Sequence, residues 1–205
     1  MKLRARTDRL FEEAAKLGAR ATLRKPRRLA LPTLFFLTDP DRTPDPVAVA
    51  QRLPRGAGII YRSFGDPNAV KIAAALMAVA RARGLILLIG SDAALAARVG
   101  AHGVHLPERA LRMARRVRRR GWIVTGAAHS ARALTAPGLD AFLLSAVFAS
   151  RSPSAGRPLG PLRLARLVRQ ARSPVYALGG VSADTVRRLR NSGVVGVAAV
   201  EGLEP

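Results

Sequence analysis

Short apolar segments alternate with helical segments along almost the whole chain, and this alternation constrains the fold more than any other feature. Eight apolar segments are predicted to be strands, at 33–38, 58–62, 85–89, 103–106, 122–125, 141–148, 174–178 and 194–200. Seven helices are predicted between them, at 46–53, 68–84, 93–99, 108–120, 130–136, 161–172 and 183–191. Strands that are apolar throughout and joined by helices are typical of a parallel sheet covered on both faces.

Eight strands joined in this way predict a closed (β/α)8 TIM barrel. A doubly wound open sheet is the alternative, but no glycine-rich fingerprint follows the first strand. The sequence ends directly after the eighth strand, so we expect no eighth C-terminal helix. An extra amphipathic helix is predicted at 7–23, where Leu10, Ala14 and Leu17 share one stripe. We expect this helix, or a partner subunit in a homodimer, to cover the apolar flank.

The chain is predicted to comprise an N-terminal helix with a basic linker at 1–31 and a barrel domain at 32–205. Its length is enough for one domain with a large core. No run reaches the roughly 18 apolar residues that a membrane span needs, so no membrane association is expected. Acidic residues, and no apolar h-region, follow the basic N-terminus, which argues against a secretory signal. We expect a cytoplasmic location.

The charge balance is strongly basic, with 35 Lys and Arg against 13 Asp and Glu and a net charge of +22. Such a charge attracts nucleic acids, membrane surfaces and phosphorylated ligands. The densest basic run, 115–120, lies in a predicted helix whose apolar stripe directs the arginines outward. Aromatic residues make up only 4% and are not interleaved with the arginines, which argues against a base-stacking platform. We therefore interpret the run as a solvated face and expect no nucleic-acid partner.

The segment 174–181 reads Pro-Val-Tyr-Ala-Leu-Gly-Gly-Val, an apolar strand that ends on Gly179 and Gly180. A predicted helix follows it. Two glycines at the start of a helix let backbone N–H groups approach an anion closely. A β/α barrel keeps its phosphate site after the seventh strand, which is the position of this segment. The segment therefore predicts a phosphorylated small molecule as ligand.

Six segments, taken in order over residues 33–202, resemble the thiamine phosphate synthase and TenI family of β/α barrels. They are Leu37-Thr38-Asp39, Gly100–Leu106, Ala128-His129-Ser130, Ala146-Val147-Phe148, Ala177–Val181 and Gly196–Val200. No single segment is specific to the family, but their order and spacing together are. Synthases of this family use Mg²⁺ to join a pyrimidine diphosphate to a thiazole phosphate, with release of pyrophosphate. The resemblance therefore implies a barrel of thiamine biosynthesis.

The resemblance also implies which residues bind phosphate. Four positions match those where backbone amides hold the thiazole phosphate: Gly179, Gly180, Ala198 and Ala199. Three positions match the loop that holds the diphosphate: Ser150, Arg151 and Ser152. The lysine of that loop is missing here, and Arg151 would supply its charge. His129 matches the acid–base histidine of TenI-type enzymes.

The positions that match the family's metal and diphosphate residues are mostly replaced. The pattern Gln-Leu-Arg-Glu-Lys of the second strand keeps only its arginine, here Arg62, which the resemblance implies is catalytic. The Asn-Asp pair of the third strand falls on Gly90 and Ser91, with Asp92 one place later. The metal-binding Asp that follows the fourth strand falls on Ala110, with Glu108 nearby. Mg²⁺ is therefore expected only if Asp92 and Glu108 hold it.

Three functions are compatible with these residues. The chain would be a thiamine phosphate synthase, a TenI-like thiazole tautomerase in which His129 moves a proton, or a non-catalytic barrel that binds a phosphorylated ligand or a partner. Imidazole is suited to proton transfer near neutral pH. His105 competes with His129, but its expected role is packing or hydrogen bonding inside the barrel mouth. Because the metal and diphosphate positions are replaced, the sequence favours a barrel that binds a thiazole-type phosphate.

Overall fold

Each of the eight apolar segments forms a parallel strand, and the strands pair in chain order into a closed barrel. The computed structural model describes residues 2–24, 31–150 and 156–200. The strands are β1 (Leu34–Leu37), β2 (Gly58–Tyr61), β3 (Ile86–Gly90), β4 (Gly103–Leu106), β5 (Ile123–Ala128), β6 (Ala141–Leu144), β7 (Val175–Leu178) and β8 (Gly196–Ala199). The barrel closes where β8 pairs with β1, with Phe35 opposite Ala198. The prediction of a (β/α)8 barrel is thereby confirmed.

Six α-helices accompany the strands in the described residues. They are α1 (Lys2–Arg24), α2 (Pro46–Ala50), α3 (Ala69–Arg83), α4 (Ala93–Val99), α5 (Ala114–Val117) and α6 (Gly160–Gln170). Short 3₁₀ segments lie at Glu108–Met113, Ala133–Thr135 and Val186–Leu189. The long helix predicted at 108–120 is therefore wrong: its first half is 3₁₀, and the chain turns extended at Arg118.

Two more helical connections are shorter than predicted. The helices predicted at 130–136 and 183–191 are both short 3₁₀ segments. The sixth strand ends at Leu144 and not at Phe148. The following segment crosses the end of β7, where Val147 N–H donates to the carbonyl oxygen of Leu178.

The core has two layers, because successive side chains of a strand point to opposite faces. One set fills the barrel interior and includes Phe35, Ile60, Leu88, Leu143 and Tyr176. The rings of Phe35 and Tyr176 meet edge to face with their centroids 5.1 Å apart. The alternate residues of each strand pack outward against the helices.

Helix α1 covers β1 and β8, the flank that has no helix following β8 in the described residues. Its stripe residues Leu10, Ala14 and Leu17 are buried, as the sequence predicted. Glu13 is also buried, and its carboxylate accepts hydrogen bonds from Lys16 and Arg190. These two cations hold the pKa of Glu13 below its usual value. Within the described residues, no helix is long and apolar enough to cross a membrane.

Candidate functional site

The candidate site lies at the carboxyl ends of the strands, where β/α barrels place their functional residues. Arg62 follows β2, His105 lies in β4, His129 follows β5 and Ser145 follows β6. Gly179 and Gly180 follow β7. Residues predicted from distant parts of the sequence therefore meet at one end of the barrel.

Arg62 is held in place from the end of β1. Its backbone N–H donates to Thr38 Oγ1 at 2.9 Å, and its Nε donates to the Thr38 carbonyl oxygen at 2.7 Å. Nη2 forms an ion pair with Asp39 at 3.3 Å, and Arg42 shares that carboxylate at 2.7 Å. The hydrogen bond from Arg42 holds the pKa of Asp39 below its usual value. The Arg62 guanidinium also lies over the ring of Phe64.

Gly90, at the end of β3, leaves the space that Arg62 uses. A Cβ atom built on Gly90 would lie 3.2 Å from Arg62 Cγ and 3.1 Å from the Tyr61 carbonyl oxygen. A larger side chain at this position would therefore have to displace Arg62. The end of β3 thus offers no side-chain ligand at Gly90 and serves as a packing surface for Arg62.

The two carboxylates proposed as magnesium ligands already have partners within the chain. Asp92 is the N-cap of α4, where its Oδ1 accepts from the N–H of Leu95 at 2.8 Å. Glu108 spans β4 and β5: one oxygen accepts from His129 N–H at 2.5 Å and the other from Ser130 Oγ at 2.8 Å. Magnesium prefers carboxylate and other oxygen ligands arranged around it. Among the described residues, no group of three His, Asp or Glu side chains converges to hold a metal ion.

His105 points into the barrel and is buried. Its Nδ1 lies 2.9 Å from the hydroxyl oxygen of Thr125 on the neighbouring strand. Burial lowers the pKa of His105 to about 3, and the charge of Arg62 acts in the same direction. His105 is therefore neutral at physiological pH, and its hydrogen bond fits the role expected for it in the barrel mouth.

His129 is exposed at the mouth and held at one ring nitrogen. Its Nδ1 lies 3.1 Å from Ser145 Oγ and 3.3 Å from the Ser145 carbonyl oxygen. Its backbone is fixed by Glu108. When Nδ1 carries the hydrogen and donates to Ser145, Nε2 carries the lone pair that can accept a proton.

Gly179 and Gly180 form a tight turn against the segment that follows β6. Both have positive φ angles, +89° and +64°. A Cβ atom on Gly180 would lie 2.2 Å from the carbonyl oxygen of Ala149, and one on Gly179 would lie 2.9 Å from Ala146 Cα. The Gly179 carbonyl oxygen accepts from Phe148 N–H, and that of Gly180 accepts from Thr185 Oγ1. Within the described part of the chain, their N–H groups donate to no protein acceptor.

The remaining predicted phosphate residues divide into two sets. Ala198 faces the barrel interior, whereas Ala199 packs in the outer layer, so only the backbone of Ala199 could reach a ligand. Ser150 is half-buried and has a partner within the chain. Arg151 and Ser152 lie outside the described residues.

Three contributors to the site were not predicted as such. Asp39 was interpreted only as part of the end of the first strand, although its proximity to Arg62 depends on the pairing of β1 with β2. Thr125 carried no signal beyond its place in an apolar strand. Ser145 was assigned to the interior of the sixth strand, because the sequence does not show that β6 ends at Leu144.

Comparison with known proteins places this barrel in a family. Residues 34–203 match the family described as thiamine monophosphate synthase. A thiamine-phosphate synthase of Thioalkalivibrio sulfidiphilus is 35% identical over 150 residues, which cover 69% of this chain and 70% of that protein. One from Alcanivorax borkumensis is 31% identical over 188 residues, covering 83% and 84% of the two chains.

A solved structure supports the fold. The thiamine phosphate pyrophosphorylase of Pyrococcus furiosus superposes with a TM-score of 0.70 at 23% identity, covering 83% of this chain and 86% of that one. At this identity the similarity establishes the fold alone. The fold is thus a TIM barrel whose candidate site lies at the carboxyl ends of the strands. The chain belongs to the thiamine monophosphate synthase family.

Proposed function

We propose that this barrel acts in thiamine biosynthesis by binding a thiazole-type phosphate at the ends of β7 and β8. The observation that carries the proposal is the Gly179–Gly180 turn, with its positive φ angles and its N–H groups without protein acceptors. Such amides approach an anion closely, because glycine has no side chain to shield them.

Basic groups of the chain favour the same ligand. The net charge of +22 raises the local concentration of anions at the protein surface. Arg62, held rigidly by Thr38 and Asp39, offers a charged group at the opposite side of the mouth. We propose that the protein binds this phosphorylated thiazole in the cytoplasm.

We further propose that the barrel does not work as an ordinary Mg²⁺-dependent synthase. Asp92 Oδ1 is engaged in the N-cap of α4, and both oxygens of Glu108 accept a hydrogen bond, so both carboxylates already have a structural role within the chain. The bound phosphate would therefore be recognised without a diphosphate site of the family type.

A second function, proton transfer on a thiazole carboxylate phosphate, is favoured by the position of His129. Ser145 fixes its Nδ1, which leaves Nε2 at the exposed mouth as the nitrogen that exchanges a proton. In this reaction His129 would remove a proton from one ring position and return it to another. No metal is needed for either step. General acid–base catalysis of this type contributes typically about 10²–10⁴-fold to a rate.

Thermal shift with defined ligands tests the binding proposal. We expect thiazole phosphate to raise the melting temperature in the presence or absence of Mg²⁺, whereas the dephosphorylated thiazole has no effect. Inorganic phosphate at equal concentration is the control for nonspecific anion binding. Absence of any shift with thiazole phosphate would contradict the binding proposal. Mg²⁺-dependent release of pyrophosphate from the two synthase substrates would contradict the proposal that the barrel is not an ordinary synthase.

Replacement of His129 separates binding from proton transfer. His129→Gln keeps a polar side chain at the mouth but cannot act as a base near neutral pH. We expect the variant to bind thiazole phosphate as the wild type does and to lose at least about 100-fold of any isomerisation rate. His105→Gln is the matched control and should retain that rate, because His105 is buried behind Thr125. Equal loss in both variants would exclude His129 as the specific base.

A further inference from the structure

The arginines that the site does not use are concentrated at the end of the barrel opposite the site. In a β/α barrel, the last turn of each helix and the segment leading to the next strand lie at the amino ends of the strands. We call this end the αβ face. Its arginines are Arg52, Arg55, Arg81, Arg83, Arg98, Arg115, Arg116, Arg118, Arg119, Arg120, Arg169, Arg172 and Arg190.

The acidic residues show the opposite distribution. Eight carboxylates belong to residues 31–150 and 156–200, and seven of them follow the carboxyl end of a strand. The exception is Asp140, which precedes β6 and is paired with Arg118 at 3.0 Å. Arg190, in the segment leading to β8, is paired with Glu13 of α1 at 3.1 Å. Within the described residues, the other arginines of the αβ face form no ion pair with a strand-connecting segment, so the face carries thirteen arginines against these two paired carboxylates.

Helix dipoles account for only part of this charge. Each helix C-terminus carries about half a negative charge and favours a cation in its last turn. Five helices end at this face, so their partial charges sum to about −2.5, far below the arginine charge. Three consecutive arginines, Arg118–Arg120, lie beyond the end of α5.

Several arginine side chains of the αβ face lie against the glycines that end a neighbouring helix or precede a neighbouring strand. The Arg55 guanidinium lies 3.5 Å from the Cβ position of Gly84, and that of Arg81 lies 3.0 Å from the Cβ position of Gly100. Arg115 packs in the same way against Gly138. Gly56 N–H donates to the Gly84 carbonyl oxygen and so joins two of these segments. Three arginines of the face therefore each reach the neighbouring segment.

We propose that the αβ face binds the phosphate backbone of a nucleic acid without reading its bases. Guanidinium groups match the geometry of phosphate oxygens. The lack of interleaved aromatic residues argues against base stacking but leaves backbone binding intact. A membrane fits less well, because the exposed large apolar side chains of the described residues, Phe64, Val70 and Leu162, all lie toward the site end. Trp122 lies beneath the Arg119 guanidinium, 5.0 Å away, and is half-buried.

Fluorescence anisotropy with a labelled DNA duplex and a labelled RNA duplex of the same length tests the proposal. The αβ variant combines Arg115→Gln, Arg116→Gln, Arg119→Gln and Arg120→Gln, and keeps Arg118 because it is paired with Asp140. The matched control combines Arg109→Gln, Arg112→Gln, Arg132→Gln and Arg163→Gln, which changes the net charge equally at the site end.

We expect the wild type to bind both duplexes at low salt, with an affinity that falls steeply as salt rises from about 50 to about 200 mM. The αβ variant should bind at least about tenfold more weakly. The slope of log binding constant against log salt concentration should become shallower by up to about three. The control variant should lose less than about twofold in affinity. A second αβ variant, which combines Arg52→Gln, Arg55→Gln, Arg169→Gln and Arg172→Gln, should repeat the loss.

Three outcomes would overturn the proposal. The first is a wild type that does not bind either duplex at low salt. The second is an equal loss in the αβ and control variants, which would show that net charge alone drives binding. The third is preferential binding to vesicles of phosphatidylserine and phosphatidylcholine over both duplexes, which would identify a membrane surface as the partner.

Discussion

The two halves of the barrel mouth use their polar groups in different ways. Around β1 to β4, the side chains of Asp39, Arg62, Asp92 and Glu108 are bonded to one another, to helix ends or to neighbouring loops. Around β5 to β8, the polar groups that face the mouth include backbone amides, the exposed ring of His129 and the Ser145 hydroxyl beside that ring. A site made of backbone N–H groups depends on chain geometry and not on particular side chains. The proposed phosphate site in that half therefore does not depend on the side chains of the other half.

The largest expected effect comes from a substitution at Gly180, in the β5 to β8 half of the mouth. In Gly180→Ala, the new Cβ atom would overlap the carbonyl oxygen of Ala149 at a residue with positive φ. The left-handed conformation costs roughly 1–2 kcal/mol for a residue other than glycine, and the overlap adds about 1–3 kcal/mol. We expect a loss of about 3 kcal/mol in the free energy of unfolding and no thermal shift with thiazole phosphate.

Gly156→Ala is the control for that substitution. A Cβ atom on Gly156 meets nothing within 4 Å, so the variant should match the wild type in stability to within about 0.5 kcal/mol. Chemical denaturation of both variants measures the difference. If Gly180→Ala keeps full stability and the thiazole phosphate shift, the turn is not the binding element.

The next effect concerns His105, in the interior between the two halves. Its pKa of about 3 lies below the unfolded value near 6.5, so between these values the unfolded chain binds more protons. The contribution of neutral, buried His105 to the free energy of unfolding is therefore complete above about pH 6.5. It falls by about 1.4 kcal/mol for each pH unit as the pH drops toward 3.

Denaturant unfolding at several pH values between about 7 and 5 measures this slope. His105→Gln keeps a hydrogen-bonding partner for Thr125 and does not titrate, so its slope should be smaller by up to about 1.4 kcal/mol per unit. His102 also has a pKa lowered by burial and contributes with the same sign, so some slope should remain. An identical slope in wild type and variant would show that His105 is not buried in its neutral form.

The sequence was sufficient to predict the barrel because eight mainly apolar segments alternate with segments of helical pattern. The helix at 108–120 was wrong because an apolar stripe does not distinguish a long helix from a 3₁₀ segment followed by one turn. The tight turn at Gly179 and Gly180 could be predicted, since its glycines are adjacent in sequence and the position after the seventh strand is fixed by topology.

The other half of the mouth could not be predicted from local patterns. Arg62 and Asp39 are 23 residues apart, and Glu108 and His129 are 21 apart, so their contacts depend on which strands are neighbours. A carboxylate that caps a helix and one that binds a metal ion look the same in sequence. Only the three-dimensional partners of Asp92 and Glu108 show that both are already engaged.

The smallest expected effect comes from replacing Asp92, and it tests the β1 to β4 half of the mouth directly. Asp92→Ala removes the N-cap of α4 and should cost about 1 kcal/mol of stability. Asp45 caps α2 by the same bond to an N–H three residues on, so Asp45→Ala is the matched control with a similar cost. Mg²⁺ should not stabilise the wild type or either variant. Stabilisation of the wild type and Asp45→Ala by Mg²⁺, lost only in Asp92→Ala, would show that Asp92 is a metal ligand and that the two halves form one synthase site.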